Sequence, residues 1–218
     1  MNSNQGSRFF ILGGISGIVG TLCYVIAIAI PMSHVGTYIF AMSWPILSIV
    51  FVFSLFRYIA LDSQSAANQL AFVFSCLAFV IVAVMMSSQL AVKAGVLEYI
   101  ESSTASEQEL LKLMRRVIRL VDMGMDVAWD LFIGASLIFL SIALKGHRDF
   151  GLRWTIPAAL LGLVLMILNF ATFPWPPDTK GLIDVGPAVG LYIIGLSVRL
   201  VFLGKRMGRV PLNAAPEK

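Results

Sequence analysis

The sequence predicts an all-α fold, a polytopic bundle of about six transmembrane helices, and two observations predict it. Apolar residues make up 58% of the chain and charged residues only 13%, against roughly 45–50% and about 25% in soluble domains. Charge-poor runs also recur at about the 20-residue length that crosses a hydrocarbon core about 30 Å thick. A soluble core cannot hide that much apolar surface, so the lipid bilayer is the chain's first partner. No hydrophilic block is long enough for a separate soluble domain, and 1–218 reads as a single membrane domain. The net charge of +4 then belongs to loops facing anionic lipid, and no nucleic-acid partner is expected.

The first run, 9–30, follows Arg8 and stops at Pro31. Ala27-Ile28-Ala29 imitates a signal-peptide cleavage site, but the apolar stretch exceeds the usual h-region of about 7 to 15 residues, which predicts a retained helix. The second run, 38–61, has Pro45 near its start and Arg57 near its end, and the third, 70–94, closes with Gln89 and Lys93. The fourth, 123–144, carries Asp126 and Asp130. The runs 154–173 and 185–203 complete the set, with Arg199 close enough to the end of the last to snorkel. Pro157 and Pro187 fall in first helical turns, where a missing N–H costs nothing, and Pro174-Trp175-Pro176-Pro177 stiffens the loop between the last two spans.

Ahead of the fourth span lies an amphipathic segment, 106–122. Ser106 and Glu109 fit a capping box, and Leu110, Leu111, Met114, Val117, Ile118 and Val121 recur at helical spacing. Its apolar stripe suits the membrane surface or the bundle equally well.

Six spans put both termini on one side. That side carries ten basic residues: Arg8, Arg57, Lys145, Arg148, Arg153, Arg199, Lys205, Arg206, Arg209 and Lys218. The other carries six: Lys93, Lys112, Arg115, Arg116, Arg119 and Lys180. The positive-inside rule therefore predicts cytoplasmic termini in a bacterial inner membrane.

Asp122, Asp126 and Asp130 stand four apart and share one helix face. Asp122 is within i, i+3 reach of Arg119, but Asp130 lies about 12 Å deeper at 1.5 Å per residue. An ionised aspartate at the centre of a membrane helix costs about 3 kcal/mol, so these side chains must face a partner, a cation or water. Lys93 and Gln89 end the third span at the same level, and Asn169 ends the fifth there. The expected ligand- or ion-binding set is therefore Asp126, Asp130, Lys93, Gln89 and Asn169, with Lys93 paired to one of the aspartates, while the opposite half of the bundle reads as packing.

Other features read as architecture. Trp44, Trp129, Trp154 and Trp175 fall near predicted membrane ends and suggest an aromatic belt. Gly13-x-x-x-Gly17 and Gly186-x-x-x-Gly190 let helices approach closely and suggest packing within the bundle or a face through which a homo-oligomer could form. Cys23 and Cys76 have no flanking Cys or His, so neither a disulfide nor a metal site is expected, and no motif calls for a cofactor. Gly14-Ile15-Ser16-Gly17 resembles the G-x-S-G of rhomboid intramembrane proteases. Serine chemistry needs a base, however, and neither His34 nor His147 lies within a span, His34 reading as a solvated loop residue.

The stretch 121–130, together with Phe173-Pro174-Trp175-Pro176-Pro177 and Gly181-Leu182-Ile183-Asp184-Val185-Gly186-Pro187, resembles small six-span bacterial membrane proteins of unknown function. The likeness implies six spans and draws attention to the aspartates, and it implies no activity. The function expected from the residues is a polar pocket on the outer face that binds or transports a small solute, a cation or a proton. The alternatives are an intramembrane enzyme using paired aspartates and a non-catalytic assembly or sensor subunit.

Overall fold

A computed structural model of the protein describes residues 3–62, 64–173 and 184–208. These residues form six helices: α1 (Ser3–Ala29), α2 (His34–Ile59), α3 (Ala66–Ser102), α4 (Ala105–Leu144), α5 (Leu152–Thr172) and α6 (Gly186–Met207). All six are long and apolar enough to cross a membrane, and the protein is an all-α six-helix membrane bundle. Consecutive helices from α1 to α5 pack side by side, and α6 returns against α1. The bundle is most open between α5 and α6, which touch only sparsely.

In lipid, helices gain no hydrophobic free energy from meeting one another, so close packing of small residues decides which faces join. A Cβ added to Gly13 would run into Ser54, and one on Gly17 into Ser197 and Phe51. This glycine face therefore seats α1 on α2 and α6, and is not free to meet a second copy of the chain. Phe51, Phe79, Leu137, Leu196 and Leu200 fill the centre. They leave a small, partly open space of only about 40 Å³ beside Ser75, Ser136 and Asn68.

The Ser75 hydroxyl bonds to that of Ser136, which in turn donates to the Ala71 carbonyl at 2.9 Å. This contact sets the antiparallel register of α3 against α4. The two helices hold 37 and 40 residues, so each is roughly 55–60 Å long at 1.5 Å per residue, far more than the bilayer requires. The Tyr24–Trp44 and Trp44–Trp129 ring contacts put these three residues at one level. From that level α4 runs on about 36 Å to Ala105, while α2 reaches its first residue after about 15 Å. An α3–α4 hairpin therefore projects about 20 Å past the rest of the bundle on the side away from the termini.

The amphipathic segment expected before the fourth span is thus not a separate helix. It is the first part of α4, continuous with the span and paired with the end of α3. Its cap also lies two residues earlier than the Ser106/Glu109 reading: the Glu107 carboxylate accepts the Thr104 backbone N–H at 2.7 Å and the Thr104 hydroxyl at 2.6 Å. Glu109 instead pairs with Lys112 at 2.6 Å.

Candidate functional site

At the end of the bundle away from the termini, Asp130 of α4 meets Asn169 of α5. The Asn169 amide donates to the Asp130 carboxylate at 2.8 Å and to the Leu165 carbonyl at 2.8 Å. Asn169 is buried, so its two donations fix the rotamer that holds the carboxylate. One turn along α4, Asp126 is exposed. Asp184, just ahead of α6, accepts the Gly186 N–H at 3.0 Å, and it lies near enough for its charge to act on both Asp126 and Asp130. Tyr24 of α1 lies near enough for the charges of Asp126 and Asp184 to act on it. Three carboxylates thus lie close enough to act on one another, and one of them, Asp130, is held by a buried amide. None of them has a lysine or arginine within 4 Å among the described residues.

Two of the expected members are elsewhere. Extending the Ser75–Ser136 register at equal rise puts Gln89 level with about residue 122 and Lys93 with about residue 118, roughly 18 Å along the axis from Asp130. Both side chains are exposed, and the expected ion pair of Lys93 with Asp126 or Asp130 is not formed. The physical reason is helix length. Aligning span ends to a membrane boundary places Lys93 at the rim, whereas α3 continues for two more turns and carries Lys93 onto the hairpin. The Asp122–Arg119 pair is absent as well: Arg119 is exposed, and Asp122 turns one carboxylate oxygen inward without a hydrogen-bond partner.

Among the described residues the tryptophans pack on other aromatic rings inside the bundle. Trp44 is buried, with its ring centroid 4.2 Å from Tyr24, 6.1 Å from Phe79 and 6.4 Å from Trp129. Trp154 packs on Phe150 and Tyr192. Tyr24, Trp44 and Trp129 form an aromatic layer at the level of the acidic cluster. Trp175 and the proline-rich loop lie outside the described residues. His34 is exposed at the start of α2, as a solvated residue should be.

A second polar cluster lies at the opposite end, where the sequence suggested only packing. The loop between α4 and α5 tucks His147 and Phe150 into the bundle. Tyr58 donates its hydroxyl to Asp149 at 2.8 Å, and Arg148 and Arg206 approach the same carboxylate at 3.4 and 3.5 Å. Arg199 reaches toward the end of its helix and donates twice to the Asp149 carbonyl in the α4–α5 loop, at 2.6 and 3.2 Å. The Asp149 N–H bonds to His147 Nδ1 at 3.2 Å, which leaves the imidazole proton on Nε2. Burial pushes the His147 pKa down from its usual value, the nearby Asp62 and Asp149 pull it up, and Arg148 pushes it down. One signal for this cluster stood in the sequence. An arginine about one turn inside a span must find an acceptor or water, and Asp62 and Asp149 are the acids between spans on its side.

Ser16, the one serine of the rhomboid-like motif, donates to its own helix at Leu12 O, 2.9 Å. Among the described residues no three His, Cys, Asp or Glu side chains come together as a metal site. Comparison of the chain with models of known families, with curated proteins and with solved structures finds no match.

Proposed function

We propose that this is a bacterial inner-membrane protein with cytoplasmic termini that binds a small cation or a proton at the outer acidic cluster. One observation carries the reading. Asp126, Asp130 and Asp184 converge without a basic partner among the described residues, while Asn169 holds Asp130 in place. A structural ion-pair network would supply a counter-charge, because uncompensated carboxylates at this depth repel one another. A bound cation relieves that repulsion, and the aromatic layer of Tyr24, Trp44 and Trp129 offers ring faces beside it. Below this layer the bundle is closed by apolar packing, which favours binding from one side over an open pore.

Tryptophan fluorescence of the protein in nanodiscs, titrated with sodium, calcium and tetramethylammonium and separately with acid, tests the reading. A saturable change is expected with at least one of these, and its loss in the Asp126→Asn/Asp130→Asn variant. No response in the wild type, or an equal response in the variant, rejects it. A second reading, an assembly subunit, is favoured by the uncovered apolar face of α4.

A further inference from the structure

The projecting part of α4, with the turn that joins it to the bundle, has two apolar seams and α3 covers only one. Leu111 and Ile118 are half-buried on the face toward α3. Leu110, Leu113, Val117 and Leu120 are left 58%, 57%, 55% and 53% exposed. Lipid does not account for this face. At 1.5 Å per residue, about 30 Å of hydrocarbon counted up from Leu144 ends near residue 124, so these four side chains stand beyond it. Four exposed basic residues, Lys112, Arg115, Arg116 and Arg119, share the same stretch.

The spacing of the uncovered residues is three, then four, then three, the a and d positions of a heptad. Leucine occupies both d positions, 113 and 120, and of the a positions Val117 is β-branched and Leu110 is not; a β-branched a with leucine at d favours two parallel strands. The flanking e and g positions are Met114, Val121, Glu109 and Arg116. In a parallel pair Glu109 faces Met114 and Arg116 faces Val121, so no like charges meet across the seam. Lys112, Arg115 and Arg119 take the outer c and f positions. The next a position is Gly124, where an added Cβ would meet nothing within 4 Å. It opens an apolar groove of about 310 Å³ with Val84 and Ala128 among its lining. The seam therefore continues into the membrane at a point where a second helix can approach closely.

The geometry points to a second copy of this chain as the occupant: a parallel dimer about a two-fold axis normal to the membrane, joined α4 to α4 through Leu110, Leu113, Val117 and Leu120 and continuing at Gly124. Copies inserted the same way present their α4 helices in parallel, which is the arrangement the heptad positions favour. Two copies also place their acidic clusters side by side on one face of the assembly.

Disulfide cross-linking in membranes tests this, using a version lacking Cys23 and Cys76 with single cysteines at Leu113, Leu120 or Arg115. At d positions each cysteine faces its own counterpart. Leu113→Cys and Leu120→Cys should each form covalent dimer at least five-fold more than Arg115→Cys under mild oxidation. The unsubstituted protein should show the mass of a dimer in nanodiscs, and Leu113→Glu/Leu120→Glu the mass of a monomer with its helix content retained. A monomeric unsubstituted protein, equal cross-linking at all three positions, or a dimer that survives the double glutamate substitution overturns the proposal. Retained helicity in the glutamate variant separates loss of the interface from failure to fold.

Discussion

The side chains that decide most in this protein are polar ones whose partners lie on distant helices. Asn169 donates to both Asp130 and its own helix, so Asn169→Leu strands a carboxylate and should lower stability by about 1–3 kcal/mol, measured by denaturant unfolding in detergent. Lys93→Ala should change stability by less than about 0.5 kcal/mol in the same assay, because the side chain is exposed and has no acidic partner among the described residues. A loss of several kcal/mol there would mean a buried pair after all. His147 sets a pH dependence at the other end. Its folded pKa lies below its unfolded value of about 6.5, so the unfolded chain takes up the proton first. The stability that neutral His147 contributes is present above about pH 6.5 and is lost as pH falls from there toward the lower folded pKa. Thermal unfolding between pH 7.5 and 5 should show a shallower slope for His147→Gln than for the wild type, and equal slopes would mean the buried imidazole does not titrate with folding.

Among the elements, α3 and α4 behave differently from the other four, because about a third of their length, the projecting hairpin, is held by nothing but each other. The Thr104–Glu107 box closes the hairpin tip, so Glu107→Ala should speed amide exchange over residues 103–110 while leaving exchange in α1, α2 and α6 unchanged. Capping acts on the first turn of a helix and decays within it, which is why the effect should stay local. By contrast, α1 is seated by contact at Gly13 and Gly17. Gly17→Leu should push it off Phe51 and Ser197 and lower the unfolding temperature of the whole bundle. The continuity of α4 also explains why the amphipathic segment and the fourth span, which differ so sharply in charge, form one element: no proline or glycine pair interrupts residues 105–144, and helix propagation is favourable once begun.

At the scale of the molecule, the protein is a six-helix membrane bundle with a polar cluster at each end and a packed apolar middle. Orientation is testable in a version lacking Cys23 and Cys76 with single cysteines at Ser106 and at Lys145, both exposed. An impermeant thiol reagent on intact cells should label position 106 and not 145, and the reverse result inverts the orientation. Much of this architecture was legible in the residues. Six apolar runs at bilayer length are enough to count the helices, because a span must satisfy its own backbone and carries its signal locally. Asp126, Asp130 and Asn169 were legible for a related reason: a polar residue inside a span is costly and therefore informative. What a sequence cannot carry is register between helices. The Ser75–Ser136 contact, the extra turns of α3 that remove Lys93 and Gln89 from the acidic cluster, and the fold of the α4–α5 loop that delivers Asp149 to Tyr58 and Arg199 all depend on how far one helix slides past another. That sliding is decided by the packing of small and large side chains across whole interfaces, a sum over many weak contacts between residues distant in sequence, so only the tertiary structure could decide it.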